Sequence, residues 1–313
     1  MKKALVVGCN GQDGIYLVRQ LEARGYLVAG IDRDMTRELL CERSIDIRDP
    51  AAVRQVMESF APDEVYYLAA FHHSAEDPAL DDGELVRRSF EINTLGLNNF
   101  LQAIAATSRH ARLFYAASSH VFGDPPTDVQ DENTPLNPVD PYGISKAAGV
   151  QLCRYCRKQR KTFCSVGILY NHESPRRAGA FVSQKVVRAA VRISRQPQDR
   201  LVVGNLDAMV DWGYAPDYAD AMWRILQLPE ADDFVISSGA LHSVRDLVRT
   251  AFEAVGLNWN AHVDVNPGET RKQYGNTLQG NSSKLESQTG WRPSKPFPEM
   301  IQTMVQEEMR NGL

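Results

Sequence analysis

The fold is decided by one short segment, Gly8-Cys9-Asn10-Gly11-Gln12-Asp13-Gly14, which follows the apolar run Ala4–Val7. Its glycines are spaced GxxGxxG and stand where a predicted strand, Ala4–Gly8, passes into a predicted helix, Gln12–Arg24. Such glycines permit a tight turn and a close approach of the backbone to a pyrophosphate, and the helix N-terminus offers oriented N–H groups. The segment therefore predicts a dinucleotide site, formed by Gly8, Gly11, Gln12, Asp13 and Gly14, at the start of a βαβ unit.

The alternation of strand and helix continues through the first half of the chain. Further strands are predicted at Leu27–Asp32, Glu64–Ala70, Arg112–Ala117 and Thr162–Leu169. Further helices are predicted from the N-cap Asp49 with Pro50 to Phe60, over Glu84–Thr107 and over Tyr142–Arg160. This order predicts an α/β protein with a Rossmann-type, doubly wound parallel sheet.

The second half is less regular. Helices are predicted at Phe181–Arg195, at Pro216–Gln227 and from a capping box at Ser243 and Asp246 to Val255, with short strands at Leu201–Gly204 and Phe234–Ser237. We predict an NAD(P)-binding Rossmann domain in residues 1–170, with a return segment near 205–240. Residues 171–313 are predicted to form mainly a smaller C-terminal α/β lobe that binds the substrate.

Composition limits the class of protein. The chain has 313 residues, 43% of them hydrophobic, and a formal net charge of -4, which suits one large α/β unit with an added lobe. A mildly acidic chain argues against a nucleic-acid partner. No apolar run approaches the roughly 20 residues of a membrane span, so we predict no membrane partner. The five cysteines show neither a zinc pattern nor a redox motif, and we predict a reduced cytoplasmic enzyme.

Asp32 ends the second predicted strand, 18 residues after Gly14. A carboxylate at this position accepts hydrogen bonds from the ribose 2′- and 3′-hydroxyls and repels a 2′-phosphate, which favours NAD. Arg33 is placed to pair with a 2′-phosphate, so NADP remains the alternative. Further along, the predicted cofactor contacts are Asp46 and Ile47 beside the adenine, and Leu68, Ala69 and Ala70 after the next long strand.

Tyr142 and Lys146 form a YxxxK pair and share one face of a predicted helix. A neighbouring lysine favours the phenolate of a tyrosine, whose pKa is ordinarily about 10. Ser118 lies 24 residues before Tyr142, just past a predicted strand, where its hydroxyl can meet the same substrate oxygen. Together with the glycine segment, the three residues predict proton transfer at a carbon bearing a hydroxyl while a hydride moves.

These motifs resemble the extended short-chain dehydrogenase/reductases, and more specifically the GDP-mannose 4,6-dehydratases. The resemblance covers residues 2 to about 230 and resumes at His242–Gly256 and around Gly280–Pro293. It rests on Gly11-Gln-Asp-Gly14, Tyr67-Leu-Ala-Ala70, Leu169-Tyr-Asn-His-Glu-Ser-Pro-Arg-Arg177, Gly204-Asn-Leu-Asp-Ala208, Asp211-Trp-Gly213 and Ala221-Met-Trp223.

The resemblance implies an enzyme that binds a nicotinamide cofactor and acts on a nucleotide sugar, which we expect to be a GDP-hexose. Enzymes of that family oxidise C4 of GDP-mannose, eliminate water across C5 and C6 and return the hydride to C6. Ser118 stands for the family's threonine, and His172 and Arg177 match cofactor contacts. The implied substrate contacts are His72, Ser118, Ser119, Asn171, Lys185, Asn205 and Arg271.

His120 is the largest departure from the family, which has a glutamate two residues after its catalytic threonine. A neutral imidazole can take a proton near pH 7, and imidazolium can then donate one, so His120 is a predicted catalytic residue with Ser118, Tyr142 and Lys146. His72 replaces a serine and Phe71 a glutamine. His72, His73 and His120 can share one pocket, but no spacing of metal ligands is present, and we predict no metal.

Other departures concern the substrate and the assembly. Val210 replaces an arginine before Asp-Trp-Gly, and Tyr274 replaces an acidic residue. The segment between Asp32 and Asp46 is short and lacks the family's arginine-rich loop, which reaches a neighbouring subunit. The short segment favours NAD and a homodimer, formed by the helices Glu84–Thr107 and Tyr142–Arg160, over a tetramer.

Three functions remain open on the sequence. The leading interpretation is a GDP-mannose 4,6-dehydratase-like lyase. The alternative is a C4 reductase, dehydrogenase or epimerase acting on a GDP-sugar or a related nucleotide sugar, since none of these needs the missing glutamate. The third is a non-enzymatic dinucleotide sensor, which the presence of both Tyr142 and Lys146 disfavours.

Overall fold

A computed structural model describes residues 1–33, 43–73, 80–266 and 277–311. The strands in these residues are β1 Lys3–Val7, β2 Leu27–Asp32, β3 Arg43–Ser44, β4 Glu64–Tyr67, β5 Arg112–Ser118, β6 Val129–Gln130, β7 Cys164–Leu169, β8 Asn171–Glu173, β9 Leu201–Val203, β10 Met209–Tyr214, β11 Asp233–Ile236, β12 Leu241–Ser243, β13 Val263–Val265 and β14 Gln279–Gly280. The α-helices are α1 Gln12–Ala23, α2 Pro50–Phe60, α3 Asp82–Phe90, α4 Leu97–Thr107, α5 Pro141–Arg160, α6 Val182–Arg195, α7 Ala215–Gln227, α8 Val244–Glu253, α9 Ser283–Thr289 and α10 Phe297–Asn311.

A seven-stranded sheet organises the molecule. Its order is β11-β7-β5-β4-β1-β2-β3, and every neighbouring pair is parallel. The order reverses between β1 and β4, and ligands of such sheets bind in the crevice beyond the carboxyl ends of the strands at this point. The predicted α/β class with a Rossmann-type parallel sheet is confirmed.

Helices cover both faces of the large sheet, as its largely apolar strands require. One buried cluster joins the sheet to α2, α4 and α5, and a second joins the other face to α1 and α7. Strands β4, β7 and β11 are buried at every residue. The carboxyl ends of β1, β4 and β5 are therefore fixed from both sides.

A second part of the structure has its own core. There α6, α8 and α10 pack with β9 and β13 around a third buried cluster. The short strands β12, β10 and β8 form a separate sheet. After β10 and α7 the chain returns to the large sheet, where β11 pairs with β7.

The helices α2 and α8 begin at the capping residues that the sequence predicts. Asp49 caps α2 by accepting the N–H of Ala51 at 2.9 Å, with Pro50 in the first turn. Ser243 and Asp246 form the predicted capping box of α8. Helix α5 begins in the same way as α2, with Asp140 as its cap and Pro141 in the first turn.

The predicted helix Glu84–Thr107 is interrupted, and the prediction of one continuous α-helix was wrong in this respect. A π-helical segment, Glu91–Gly96, separates α3 from α4. The hydroxyls of Tyr67 and Tyr115 donate to the carbonyls of Ile92 and Asn93, at 2.5 and 3.0 Å. A side-chain donor that enters the carbonyl ladder of a helix shifts the backbone bonds, which explains the segment.

Several elements lay outside the sequence prediction. The strands β8, β10 and β12 contain three to six residues each, and α10 occupies a stretch for which no helix was predicted. The strand predicted over Glu64–Ala70 ends at Tyr67. Residues 68–70 leave the sheet there and form part of the crevice described next. Among the described helices, none combines the length and the apolar character needed to cross a bilayer.

Candidate active site

The glycine segment forms a bare backbone cradle at the point where the strand order reverses. Gly8 has φ 89°, and a Cβ there would stand 2.8 Å from the amide nitrogen of Ala69, just after β4. A Cβ at Gly14 would overlap the carbonyl oxygen of Gly8 and lie 2.6 Å from the Cα of Cys9. Since side chains are excluded here and the N-terminus of α1 follows, the cradle fits the pyrophosphate of a dinucleotide.

Asp32 lies beside this cradle at the end of β2. Its two carboxylate oxygens accept the backbone N–H groups of Asn10, at 3.0 Å, and Arg33, at 2.7 Å. These bonds fix the carboxylate next to the glycine turn. The other predicted contacts lie around it: Arg33, Asp46 and Ala70 are exposed, Leu68 and Ala69 are half-buried, and Ile47 is buried.

Two residues of the first turn of α1 connect the cradle to β8. The side-chain amide of Gln12 donates to the carbonyl of His172 at 3.0 Å, and Asp13 lies 3.0 Å from Nε2 of His172. The other ring nitrogen of His172 lies 2.7 Å from the carbonyl of Tyr170, so the ring donates at both sides when protonated. Burial opposes charge on both groups, yet the Asp13 carboxylate raises the pKa of His172 and the imidazolium lowers the pKa of Asp13.

Ser118, Tyr142 and Lys146 meet at the carboxyl end of β5. Ser118 ends the strand, and its hydroxyl hydrogen-bonds with the Tyr142 hydroxyl. The ammonium of Lys146 is buried one turn further along α5, donates to the carbonyl of Ala116 at 2.7 Å and stands 5.7 Å from the centre of the Tyr142 ring. The structure therefore brings the three predicted residues together.

Burial governs the protonation of this pair. It raises the pKa of the Tyr142 phenol to about 12, against the opposing effects of the Ser118 hydrogen bond and the charge of Arg177. It lowers the pKa of Lys146 to about 7. The expectation of a phenol with a lowered pKa is wrong for the protein by itself, because loss of hydration outweighs the two effects that lower the pKa.

His120 lies in a 3₁₀ turn, Ser119–Val121, directly after Ser118. Its ring centre is 5.5 Å from that of Tyr142 and 6.3 Å from that of His72, which is itself 4.9 Å from Tyr142. Nδ1 of His120 is 3.0 Å from a carboxylate oxygen of Asp140. Two of the three histidines predicted to share a pocket, His72 and His120, therefore lie near each other and near Tyr142, and Asp140 contacts His120.

The segment after β8 closes one side of this group. Phe181 stacks on His72, with ring centres 5.3 Å apart, and the guanidinium carbon of Arg177 lies 3.6 Å from the centre of the Phe181 ring. Arg177 also forms an ion pair with the buried Glu173 at 3.2 Å. Arg177 is thus held close to the reacting centre.

The remaining predicted substrate residues are more dispersed. Ser119 is buried behind Ser118, Asn171 is exposed on β8 and Lys185 is half-buried on α6. Asn205 lies elsewhere, in an exposed turn where it accepts the N–H of Asp207, and Val210 is on β10 opposite His242. Arg271 and Tyr274 lie outside the described residues.

Two residues at the site were missed by sequence reasoning. Asn93, in the π-helical segment, is fully buried and donates to Ser145 at 2.9 Å and to the carbonyl of Phe71 at 3.2 Å, which ties α5 to the chain after β4. Asp140 caps α5 and contacts His120. For Asp140 a signal existed, because Asp140-Pro141 repeats the Asp49-Pro50 pattern; for Asn93 the sequence offers none.

Comparison with known proteins agrees with this geometry. The family model described as GDP-mannose 4,6 dehydratase matches residues 5–304. GDP-mannose 4,6 dehydratase 1 of Arabidopsis thaliana is 34% identical over 330 residues, which cover 98% of this chain and 90% of the relative.

Solved structures share the fold at lower identity. A UDP-glucose 4-epimerase from Thermus thermophilus, in complex with NAD, is 24% identical with a TM-score of 0.83 over 99% of this chain and 100% of its own. A dTDP-glucose 4,6-dehydratase from Bacillus anthracis, also with NAD, is 17% identical with a TM-score of 0.84 over 99% and 97%. The match along almost the whole sequence, together with the Ser118, Tyr142 and Lys146 site, shows that this chain belongs to the GDP-mannose 4,6-dehydratase family of nucleotide-sugar enzymes, within the extended short-chain dehydrogenase/reductases.

Proposed function

We propose that the chain is an NAD-dependent dehydratase that converts GDP-mannose to its 4-keto-6-deoxy product. One observation carries the proposal: the centres of the Tyr142 and His120 rings lie 5.5 Å apart. A dehydratase needs one group for the proton of the C4 hydroxyl and a second for the protons exchanged at C5 and C6. Tyr142 and His120 supply both in one cluster.

At C4, Ser118 and Tyr142 bind the sugar hydroxyl, and Tyr142 takes its proton. The cradle of Gly8, Gly11 and Gly14 would hold the oxidised dinucleotide, which would supply a hydride acceptor for C4 and, once reduced, a hydride donor for C6. Lys146 supports the phenolate, and its buried position beside Ala116 excludes bulk water from the pair. The 4-ketone that results acidifies the C5 proton.

At C5 and C6, His120 takes the part of the family's glutamate. Its neutral imidazole removes the C5 proton, and the imidazolium then protonates the C6 hydroxyl as it leaves as water. His72, T-shaped against Tyr142 and stacked on Phe181, forms the wall of the pocket next to the sugar.

The two ligands are assigned to different parts of the chain, which have separate hydrophobic cores. We assign the dinucleotide to residues 1–170 with the return segment near 205–240, and the nucleotide sugar mainly to residues 171–313. Support comes from β11, which completes the large sheet from the second half, and from the separate core around α6, α8 and α10. Asn171, Lys185, Asn205 and Arg271 stay predictions for the nucleotide sugar.

The proposal is tested by running the reaction with GDP-mannose and NAD in D₂O. We expect a 6-deoxy-4-keto product that carries deuterium at C5, with no net release of reduced cofactor. Tyr142→Phe is the control and should lower turnover about 10²- to 10⁴-fold. A product that is only a 4-epimer, or a 4-keto sugar that retains its C6 hydroxyl, would contradict the proposal and favour an epimerase or a dehydrogenase.

Cofactor preference is assigned to Asp32. Because its carboxylate is fixed by two backbone N–H groups beside the cradle, it can accept from ribose hydroxyls and repels a 2′-phosphate. We predict that Asp32→Asn weakens NAD binding about 10-fold or more and strengthens NADP binding relative to NAD. Calorimetric titration with each cofactor measures both; Asp264→Asn, at a carboxylate that is 50% exposed in the second part of the structure, is the matched control.

A homodimer formed by the α3–α4 and α5 face, and a cytoplasmic location, complete the proposal. Support for the dimer comes from large apolar side chains that remain exposed on this face, namely Val86, Leu95, Ile144 and Tyr155.

A further inference from the structure

Asp140 uses its two carboxylate oxygens for two different partners. One oxygen accepts the N–H of Gly143 at 2.7 Å and so caps α5, the helix that carries Tyr142 and Lys146. The other lies 3.0 Å from Nδ1 of His120. A single side chain therefore holds both the helix of the C4 chemistry and the imidazole assigned to C5 and C6.

The backbone places these two residues together. A Cβ on Gly143 would stand 2.5 Å from the carbonyl oxygen of His120, so the first turn of α5 rests directly on the 3₁₀ turn. The chain between them is closed by the N–H of Asn137, which donates to the carbonyl of Val121 at 3.0 Å. Both side chains are about one-fifth exposed, 18% for His120 and 21% for Asp140, so their bond is partly shielded from water.

We propose, resting on the proposed function, that Asp140 is a positioning residue that selects the Nδ1–H tautomer of His120 and thereby makes Nε2 the atom that takes the C5 proton. An ionised carboxylate only accepts hydrogen bonds, so the ring nitrogen that faces it must carry a proton. In the neutral ring the lone pair is then on Nε2. The carboxylate also stabilises the imidazolium that forms.

The elimination step balances through this one nitrogen. Nε2 of His120 takes the C5 proton, the C5–H electron pair becomes the C5–C6 double bond and the C6–O bond breaks. The proton on Nε2 passes to the departing hydroxyl, and one water molecule leaves. After hydride return to C6, a proton from solvent is added at C5, so the solvent label belongs at that carbon.

Three variants separate positioning from capping. Asp140→Asn and Asp140→Ser keep an N-cap, because Asn and Ser cap helices about as well as Asp. Asp140→Ala removes the cap as well and is the measure of purely structural damage. In Asp140→Asn the amide oxygen still accepts the N–H of Gly143, so the amide nitrogen faces the ring of His120. An amide nitrogen donates a hydrogen bond, so the ring nitrogen facing it must be unprotonated, and the opposite tautomer is favoured. Replacing the aspartate of a Ser-His-Asp triad by asparagine has the same effect.

The kinetic test follows reduced nicotinamide after rapid mixing of the NAD-loaded enzyme with GDP-mannose. In the natural protein we expect a transient signal, since the hydride is returned. In Asp140→Asn we expect elimination to slow about 10²- to 10⁴-fold while C4 oxidation slows far less, so that the reduced cofactor accumulates. Equal slowing of both steps, or elimination within about threefold of the natural rate, would overturn the proposal.

The tautomer itself is measured without substrate. In protein labelled with ¹⁵N-histidine, the His120 resonances are assigned by their loss in His120→Gln. We expect a protonated Nδ1 and an unprotonated Nε2 in the neutral ring, and the reverse in Asp140→Asn. An Nε2–H tautomer in the natural protein would overturn the proposal.

The experiments distinguish failure of the proposed function from failure of the role proposed for Asp140. If the natural protein forms no reduced cofactor and no keto sugar from GDP-mannose, the proposed function fails, while the ¹⁵N spectrum still reports on the Asp140–His120 pair. If the product forms but the spectrum and the kinetics of Asp140→Asn match those of the natural protein, only the role of Asp140 fails.

Discussion

At the residue scale, Lys146 is a charge that is costly to bury, because its side chain is only 1% exposed. Its pKa is lowered to about 7 from an ordinary value of 10.5 because burial removes the hydration of the ammonium. At a pH below about 7 the folded state carries a buried charge that the unfolded chain keeps in water. The position of this side chain in the site therefore lowers the stability of the fold.

We predict that Lys146→Met lowers C4 oxidation about 10²- to 10⁴-fold and removes this cost. The cost is complete below the folded pKa of about 7 and vanishes as pH approaches the ordinary value of 10.5. The variant should therefore gain the most stability over the natural protein below pH 7, and this gain should fall as pH rises from about 7 to 10.5. Loss of the bond to Ala116 does not vary with pH. Urea unfolding at several pH values measures the difference, and a pH-independent difference would contradict the burial argument.

At this scale the sequence predicts residues whose spacing carries their chemistry. Tyr142 and Lys146 lie one helical turn apart, and Ser118 follows a recognisable strand, so all three could be predicted. Asp140 contacts His120 from 20 positions further along the chain, a contact that only the closed turn creates. The raised pKa of Tyr142 depends on the packing around it, which spacing does not encode.

At the scale of elements, α1 and β8 are joined by the pair of Asp13 and His172. The aromatic ring of Tyr218 stacks on His172, with ring centres 4.4 Å apart, and shields the pair from the other side. This connection holds the start of the glycine-turn helix against the strand that leads into Arg177. It couples the geometry of the cradle to the segment that closes the reacting centre.

We predict that His172→Gln lowers the free energy of unfolding by about 1–3 kcal/mol near pH 6. The raised pKa of His172 gives stability that is complete below its ordinary value of 6.5 and is lost as pH rises through the folded value. The lowered pKa of Asp13 gives stability that is present above its ordinary value of 3.8 and is lost as pH falls. The difference in the free energy of unfolding between the variant and the natural protein should therefore be largest between pH 3.8 and pH 6.5.

Chemical unfolding across this pH range measures the effect. His110→Gln is the matched control, because that side chain is 60% exposed and its nearest carboxylate, Asp63, is 3.8 Å away. A loss of stability that is the same at all pH values, or equal in both variants, would show that the ion pair is not its source.

Elements of the first half could be predicted because each βαβ unit is continuous in sequence and apolar on a regular period. The short strands β8, β10 and β12 could not, since each is stabilised by partners far along the chain. Asn171–Glu173, for example, pairs with Trp212–Tyr214. The π-helical segment depends on two tyrosines from β4 and β5, and helix periodicity alone does not indicate it.

At the scale of the whole molecule, one helical face stands out for its exposed apolar side chains. Ile144 and Tyr155 are 43% and 49% exposed and lie three turns apart on the same face of α5. Leu95, in the π-helical segment that packs beside α5, is 54% exposed. Large apolar side chains grouped in this way favour a self-association surface.

We predict that Tyr155→Glu weakens self-association about 100-fold or more, because a charge that must lose its hydration would replace an exposed apolar side chain of a symmetric contact. Sedimentation velocity over a range of protein concentrations measures the change. Val265→Glu, at a side chain that is 51% exposed in the other part of the molecule, is the control. A monomeric natural protein, or equal behaviour of both variants, would contradict the dimer.

The return of the chain to the large sheet has a consequence for biosynthesis. Strand β7 is buried along its whole length and receives its second neighbour, β11, from residues that follow it by more than 60 positions. A nascent chain that has emerged only as far as Leu169 therefore presents an apolar, unpaired edge strand, the kind of surface that recruits other strands. The large sheet cannot be completed until the ribosome has delivered the residues up to Ile236, and chaperone protection is needed most during that interval.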